Sequence, residues 1–149
     1  MIFFAEYGRV GIMNELILNA QIENLNQVLE FVNRILEEEK CLQYVQMEID
    51  IAVEELFVNI AHYAYAPDIG CVSIQVFVEE KDVIIIFKDN GIPYNPLARK
   101  DPDITLPLEE RRIGGLGIYI VKQYMDNVDY SYENGMNVLR IKKNIYERH

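Results

Sequence analysis

"RRIGGLGIYIVKQYMD", residues 111–126, sets three glycines, Gly114, Gly115 and Gly117, directly ahead of an apolar, helix-like run from Ile118 to Met125. Glycine is a poor helix former, so its crowding at a helix start needs a reason. One is backbone geometry: a tight turn, or a neighbour too close for a side chain. The other is an anion: the free N–H groups of a first helical turn bind phosphate, and glycine lets the ligand approach. The stretch alone leaves both open. It does place a helix, over 117–126, late in the chain, and the elements on either side can be read from it.

Upstream, residues 90–115 hold four of the five prolines and three of the eight glycines, with many charges. That is too long for a plain connection in a compact domain; such segments are functional lids or disordered loops, and we set a lid at 92–113. Before it come two strands, "CVSIQVFVE" (71–79) and "VIIIFKD" (83–89), joined as a hairpin through "EKD". Val83 to Phe87 shows no alternation and reads as a buried central strand. Further upstream, Val45, Ile49, Ala52, Val53, Leu56, Phe57 and Ile60 line one side of a helix over 44–65, broken by "APDIG" (66–70). A second amphipathic helix spans 22–40, with a solvated acidic end at Glu37, Glu38 and Glu39. "NELILNAQ" (14–21) is the first strand of the domain, and residues 1–12 an extra N-terminal strand or a leader. Downstream, "VDYSYE" (128–133) and "NVLRIKK" (137–143) form a last hairpin through "NGM". The order β-α-α-β-β-lid-α-β-β predicts an α+β, two-layer sandwich: a mixed, mostly antiparallel sheet with helices on one face.

Bulk properties bound the function. One domain, residues 13–149, accounts for most of the 149 residues. The net charge of −10 argues against nucleic-acid binding by bulk electrostatics and suits a partner with a basic surface. Cys41 and Cys71 form no CxxC pair, which reads as two reduced thiols in a cytoplasm. His62 and His149 are the only histidines, too few for a multi-histidine metal site. The apolar start is too short to span a membrane and lacks a signal-peptide pattern.

Three further features carry chemistry. In "EELFVN" (54–59), Glu55 and Asn59 stand four apart, so on a helix they share a face about 6 Å apart. A carboxylate can activate a nucleophile, and an amide oxygen is a hard ligand for Mg²⁺; alone, a polar stripe on an amphipathic helix is the commoner reading. In "KDNGIPYNP" (88–96), the buried strand ends in Asp89-Asn90-Gly91. A carboxylate there can accept from a base amino group, and Gly91 would admit the ligand, though an Asp-Asn-Gly turn is an equal alternative. The third is the set of cations Arg99, Lys100, Arg111 and Arg112 beside the glycine turn, the first two readable simply as solubility on a loop. No GxxxxGK[ST] and no strand-GxGxxG-helix occurs.

The order "ExxxN … DxG … GGLG-helix" resembles the N, G1 and G2 boxes of the GHKL (Bergerat-fold) ATPase superfamily, and within it the bacterial anti-sigma factor serine/threonine kinases. The likeness covers roughly residues 13 to 143. It implies an ATP- and Mg²⁺-dependent protein serine kinase that phosphorylates a small anti-sigma factor antagonist and sequesters a sigma factor. It further implies a cytoplasmic homodimer with no nucleic-acid or membrane partner. Glu55 would be the general base, Asn59 the Mg²⁺ ligand and Asp89 the partner of the adenine amino group above Gly91. Gly114, Gly115, Leu116 and Gly117 would hold phosphates through the backbone, with Arg111 and Arg112 beside them. Two positions depart from the pattern: Tyr63 stands where the family usually has histidine, and Asn137, in "GMNV", where it tends to have a threonine that helps hold an adenine-binding water. Asn137 would take that place. The alternatives are a nucleotide-dependent binding module without kinase activity, the ATPase module of a split histidine kinase, and a non-enzymatic domain whose glycines only turn the chain.

Overall fold

A computed structural model describes residues 2–6, 9–65, 68–98 and 116–147. Strand β1 (Ile2–Glu6) leads into β2 (Arg9–Asn19), followed by helices α1 (Leu25–Glu38) and α2 (Gln43–Tyr63). Then come β3 (Cys71–Glu79), β4 (Asp82–Asp89), helix α3 (Leu116–Tyr124), β5 (Asn127–Glu133) and β6 (Met136–Asn144). The six strands form one sheet in the order β1-β2-β3-β4-β6-β5. Every joint is antiparallel, where a mixed sheet was expected. The physical reason is the last hairpin. β4 and β5 run the same way, but β6 is inserted between them, so the parallel pair never touches.

Periodicity explains the two layers. Val28, Val32, Ile35 and Leu36 of α1 fall on one stripe and are buried. Helix α2 buries Val45, Ile49, Ala52, Val53, Leu56 and Phe57. These join Val72, Ile74 and Val76 of β3, Val83, Ile85 and Phe87 of β4, and Leu139 and Ile141 of β6 in one core. Strand residues two apart share a face, so this is one side of the sheet. The other side is more open: Ile17, paired with Ser73, is 62% exposed.

The helix expected over 22–40 is α-helical only from Leu25, because Ile22–Asn24 form a 3-10 turn. It stops at Lys40, whose φ of 57° is left-handed. Cys41 N donates back to Leu36 O at 2.9 Å, closing the last turn as glycine-ended helices do. Residues 1–12 contribute β1 and the first part of β2. Of the segment set down as a lid, 92–98 are described and include the 3-10 turn Pro96–Ala98; the remainder lies outside the described residues. Lys143 shares the inward register of Leu139 and Ile141 and is 1% exposed. Its ammonium lies 3.8 Å from Glu48 of α2 and 4.0 Å from Asp126 after α3, fastening both to the sheet. No described helix is long and apolar enough to cross a membrane.

Candidate functional site

Between the C-terminal half of α2 and the adjoining ends of β4, β6 and β5 the described residues leave a cavity of about 40 Å³. Apolar side chains supply most of its wall, among them Leu56, Ile60, Phe87, Ile92 and Leu139. Three polar residues expected from sequence, Asn59, Asp89 and Asn137, converge on it. A small-ligand site has this character: apolar walls and few, placed polar groups.

Asp89 is the last residue of the central strand and only 4% exposed. Its Oδ1 accepts from Gly91 N and from Asn137 Nδ2, each at 2.9 Å. Oδ2 takes no hydrogen bond from a described residue, and since Asp89 lines the cavity this is the oxygen left for a ligand there. Gly91 is where it is because of a close approach: an added Cβ would overlap the backbone carbonyl of Ala64 at the end of α2. Ile92 N donates to that same carbonyl at 2.8 Å. Asn90 N donates to the Tyr65 hydroxyl at 2.8 Å, and that hydroxyl donates to Cys71 O at 2.6 Å. The turn after β4 is thus pinned to α2 and β3. Burial pushes the Tyr65 and Tyr130 phenols above the ordinary tyrosine value, with Asp89 adding to both, so both stay neutral donors.

Glu55 and Asn59 sit on α2 as expected but do not serve the same space. Asn59 borders the cavity. Glu55 lies one turn back, against the start of α3, where a Cβ on Gly117 would overlap its Oε2. The glycine at 117 therefore has a steric reason: it makes room for the Glu55 carboxylate. Burial raises the Glu55 pKa above its usual 4.5, and neighbouring Glu54 adds to the rise. Leu116 opens α3 and is 37% exposed. Arg111, Arg112, Gly114 and Gly115 lie outside the described residues.

Two site residues, Tyr94 and Tyr130, carried no chemical signal in the sequence. Tyr130 donates to Asn137 Oδ1, and Tyr94 N donates to the same oxygen at 3.1 Å. Tyr63 and Tyr94 face each other at the rim, with ring centroids 5.9 Å apart and planes tilted by 32°. His62 is exposed and meets Tyr63 edge-on at 6.1 Å. Among the described residues no group of three histidines, cysteines or carboxylates could hold a metal. An ion here would need an amide and the ligand's own oxygens, as Mg²⁺ commonly does with phosphates.

Comparison with known proteins adds three findings. The model of a family described as "Histidine kinase-like ATPase domain" matches residues 18–143. The protein named serine-protein kinase RsbW from Bacillus thuringiensis (strain Al Hakam) is 34% identical over 99 residues, which covers 64% of this chain and 62% of that protein. The protein of that name from Bacillus mycoides (strain KBAB4) is 34% identical over 104 residues, 66% of this chain and 65% of its own. The chain thus spans less than two thirds of the length of these curated relatives. Among solved structures, that of the RsbU and RsbW domains of Rv1364c from Mycobacterium tuberculosis superposes with a TM-score of 0.66 at 14% identity. The match covers 92% of this chain and 33% of that one, and it is a likeness of fold.

Proposed function

The chain belongs to the histidine kinase-like ATPase domain family, and from that premise we propose that it binds Mg-ATP and phosphorylates a serine on a partner protein. The observation that carries the reading is Asp89: a buried carboxylate in the wall of an apolar cavity, braced on one oxygen, whose other oxygen takes no hydrogen bond from a described residue. Such an acceptor recognises an exocyclic amino group and rejects a carbonyl at the same place. Adenine fits; a 6-oxopurine does not.

The chemistry divides between two ends of the site. At the cavity, Asp89 and the apolar walls hold the base. Toward α3, the helix start and its glycines receive the phosphates through backbone N–H groups, with Arg111 and Arg112 as neighbouring cations. Asn59 would hold Mg²⁺ together with phosphate oxygens, and the ion's contribution is to neutralise charge on the transferring group. Glu55 faces the same helix start. Its carboxylate takes the proton from the serine hydroxyl as that oxygen bonds to the γ-phosphorus; the bond to the β-phosphate oxygen breaks and ADP leaves. A carboxyl with a raised pKa suits this proton transfer better than a fully solvated one.

The relatives' name, serine-protein kinase RsbW, supports a protein serine as acceptor. The partner would be an anti-sigma factor antagonist, with a sigma factor held when the antagonist is phosphorylated, and the working form a cytoplasmic homodimer. The free thiols Cys41 and Cys71 fit a reducing compartment.

The experiment is ATP titration alongside labelled-phosphate transfer to candidate antagonists. Glu55→Gln should fold and bind ATP but lose transfer by about two to four orders of magnitude, the usual worth of a general base. Asn59→Ala should also weaken Mg²⁺-dependent binding. Tight ATP binding by the wild type with no labelling of an antagonist it also binds would replace the kinase with a nucleotide-dependent binding module.

A further inference from the structure

Asn137 is 6% exposed and uses every hydrogen-bonding position its amide has. Its NH₂ donates to Asp89 Oδ1 at 2.9 Å and to Ile92 O at 3.0 Å. Its Oδ1 accepts from Tyr94 N at 3.1 Å and from the Tyr130 hydroxyl. Two partners fix which way the amide points. Tyr94 N can only donate, so it must meet the oxygen; Ile92 O can only accept, so it must meet the nitrogen. The remaining N–H is then committed to Asp89. Nothing on the amide is left for a ligand, although the residue lines the cavity.

The consequence falls on Asp89. With Gly91 N and Asn137 both donating to Oδ1, the carboxylate is held in one orientation and Oδ2 alone is presented. The same amide grips the turn after β4 on either side of Pro93, through Ile92 O and Tyr94 N. Tyr130, one strand further out on β5, holds the amide in place.

We propose that Asn137 and Tyr130 form a positioning pair that does not touch the nucleotide and sets the preference for a 6-aminopurine by locking Asp89 before any ligand arrives. This deepens the ATP reading above and rests on it. Direct contact between Asn137 and the base would need one of the four bonds to be given up.

The test has two arms on the full chain. In the nucleotide-free protein, hydrogen exchange at the Tyr94 amide should accelerate at least about tenfold in Asn137→Ala, which removes its acceptor, while the Ile85 and Phe87 amides stay as protected as in wild type. In the second arm, ATP and inosine triphosphate, which carries a carbonyl where ATP carries the amino group, are titrated against wild type and variants. The ATP-to-inosine preference should fall about tenfold or more in Asn137→Ala, almost wholly by weaker ATP binding, as expected when a charged acceptor loses a buried donor. Should Asn137→Ala not fold, Tyr130→Phe carries both arms. It changes a single hydroxyl on an edge strand, and its preference should fall about threefold, the lower end for one neutral hydrogen bond, with Tyr94 exchange rising. An unchanged Tyr94 amide overturns the brace. ATP and inosine triphosphate weakening equally overturns the selectivity role and leaves only a structural one. If wild type binds neither nucleotide, the ATP reading fails, and the exchange arm alone decides whether the pair holds the turn.

Discussion

Replacing Gly117 with alanine separates stability from chemistry at this site. An alanine Cβ would meet Oε2 of Glu55 and stand 3.0 Å from its Cδ and 3.6 Å from its Cγ. Comfortable carbon contacts need about 3.5–4.0 Å, so the Glu55 carboxylate must swing aside by roughly 1 Å. It is the end of a flexible side chain, and an off-rotamer shift costs about 0.5–1.5 kcal/mol. Alanine in place of glycine in a helix returns up to about 1 kcal/mol. The two nearly offset, and the melting temperature should move by no more than about 4 °C in a chain of this size. ATP affinity should hold, because the added methyl points at Glu55 and the substitution leaves the backbone N–H of residue 117 in place for the phosphates. Phosphoryl transfer should fall about a hundredfold, the usual effect of a 1 Å misplacement of a reacting group. Thermal melts, ATP titration and single-turnover transfer to an antagonist check the three parts. Transfer at the wild-type rate would refute the reasoning, since Glu55 would then tolerate displacement that no general base should.

Other consequences follow from the same geometry. In Asp89→Asn, the two donors at Oδ1 demand an oxygen there, so the new NH₂ must face the cavity; the variant should prefer inosine triphosphate to ATP, read by competitive titration. Burial raises the Glu55 pKa, with Glu54 adding, so the folded state holds that proton more tightly than the unfolded one. Its ionisation therefore lowers stability as pH climbs from 4.5 through the raised folded pKa, and Glu55→Gln should melt higher than wild type near pH 7 with the gain vanishing below pH 4.5. Lys40 sits at φ 57°, a conformation costing a side-chain residue about 1–2 kcal/mol, part of which glycine gives back through its freer unfolded state. Lys40→Gly should thus raise the melting temperature by about 2–3 °C, checked by calorimetry.

What could be read from residues alone had local causes. The unbroken apolar run Val83–Phe87 marks a strand covered on both sides, and β4 is indeed central, with Ile84 and Ile85 facing opposite ways and both buried. The period of Val28, Val32, Ile35 and Leu36 marks α1 equally well. Its first turn was set too early because 3-10 and α starts share one apolar pattern. In the site, Asp89 announced itself by ending a buried strand. The link between Glu55 and Gly117 could not, because the two are distant in sequence and meet only when α3 packs on α2. Asn137 was visible as a polar residue in the right place, but its four bonds reach three other elements. Lys143 stands in the strand read over 137–143. Its signal was there in the alternation with Leu139 and Ile141, which already placed it inward.

The insertion of β6 between β4 and β5 has a consequence for how the chain comes into being. During synthesis β3 and β4 can pair as soon as residue 89 is clear of the ribosome, yet the other edge of β4, Val83 to Phe87, has no neighbour until residues 136–144 emerge. For that interval a strongly apolar strand stands with bare N–H and C=O groups, the condition that invites intermolecular pairing. Asn137 arrives on that same late strand, so the half of the cavity that it and Asp89 form cannot be complete earlier, and a ligand bound there cannot assist the nascent chain through it. Ribosome-bound chains halted after Glu133 should accordingly be cut by protease within β4, and those carrying β6 beyond the exit tunnel should not.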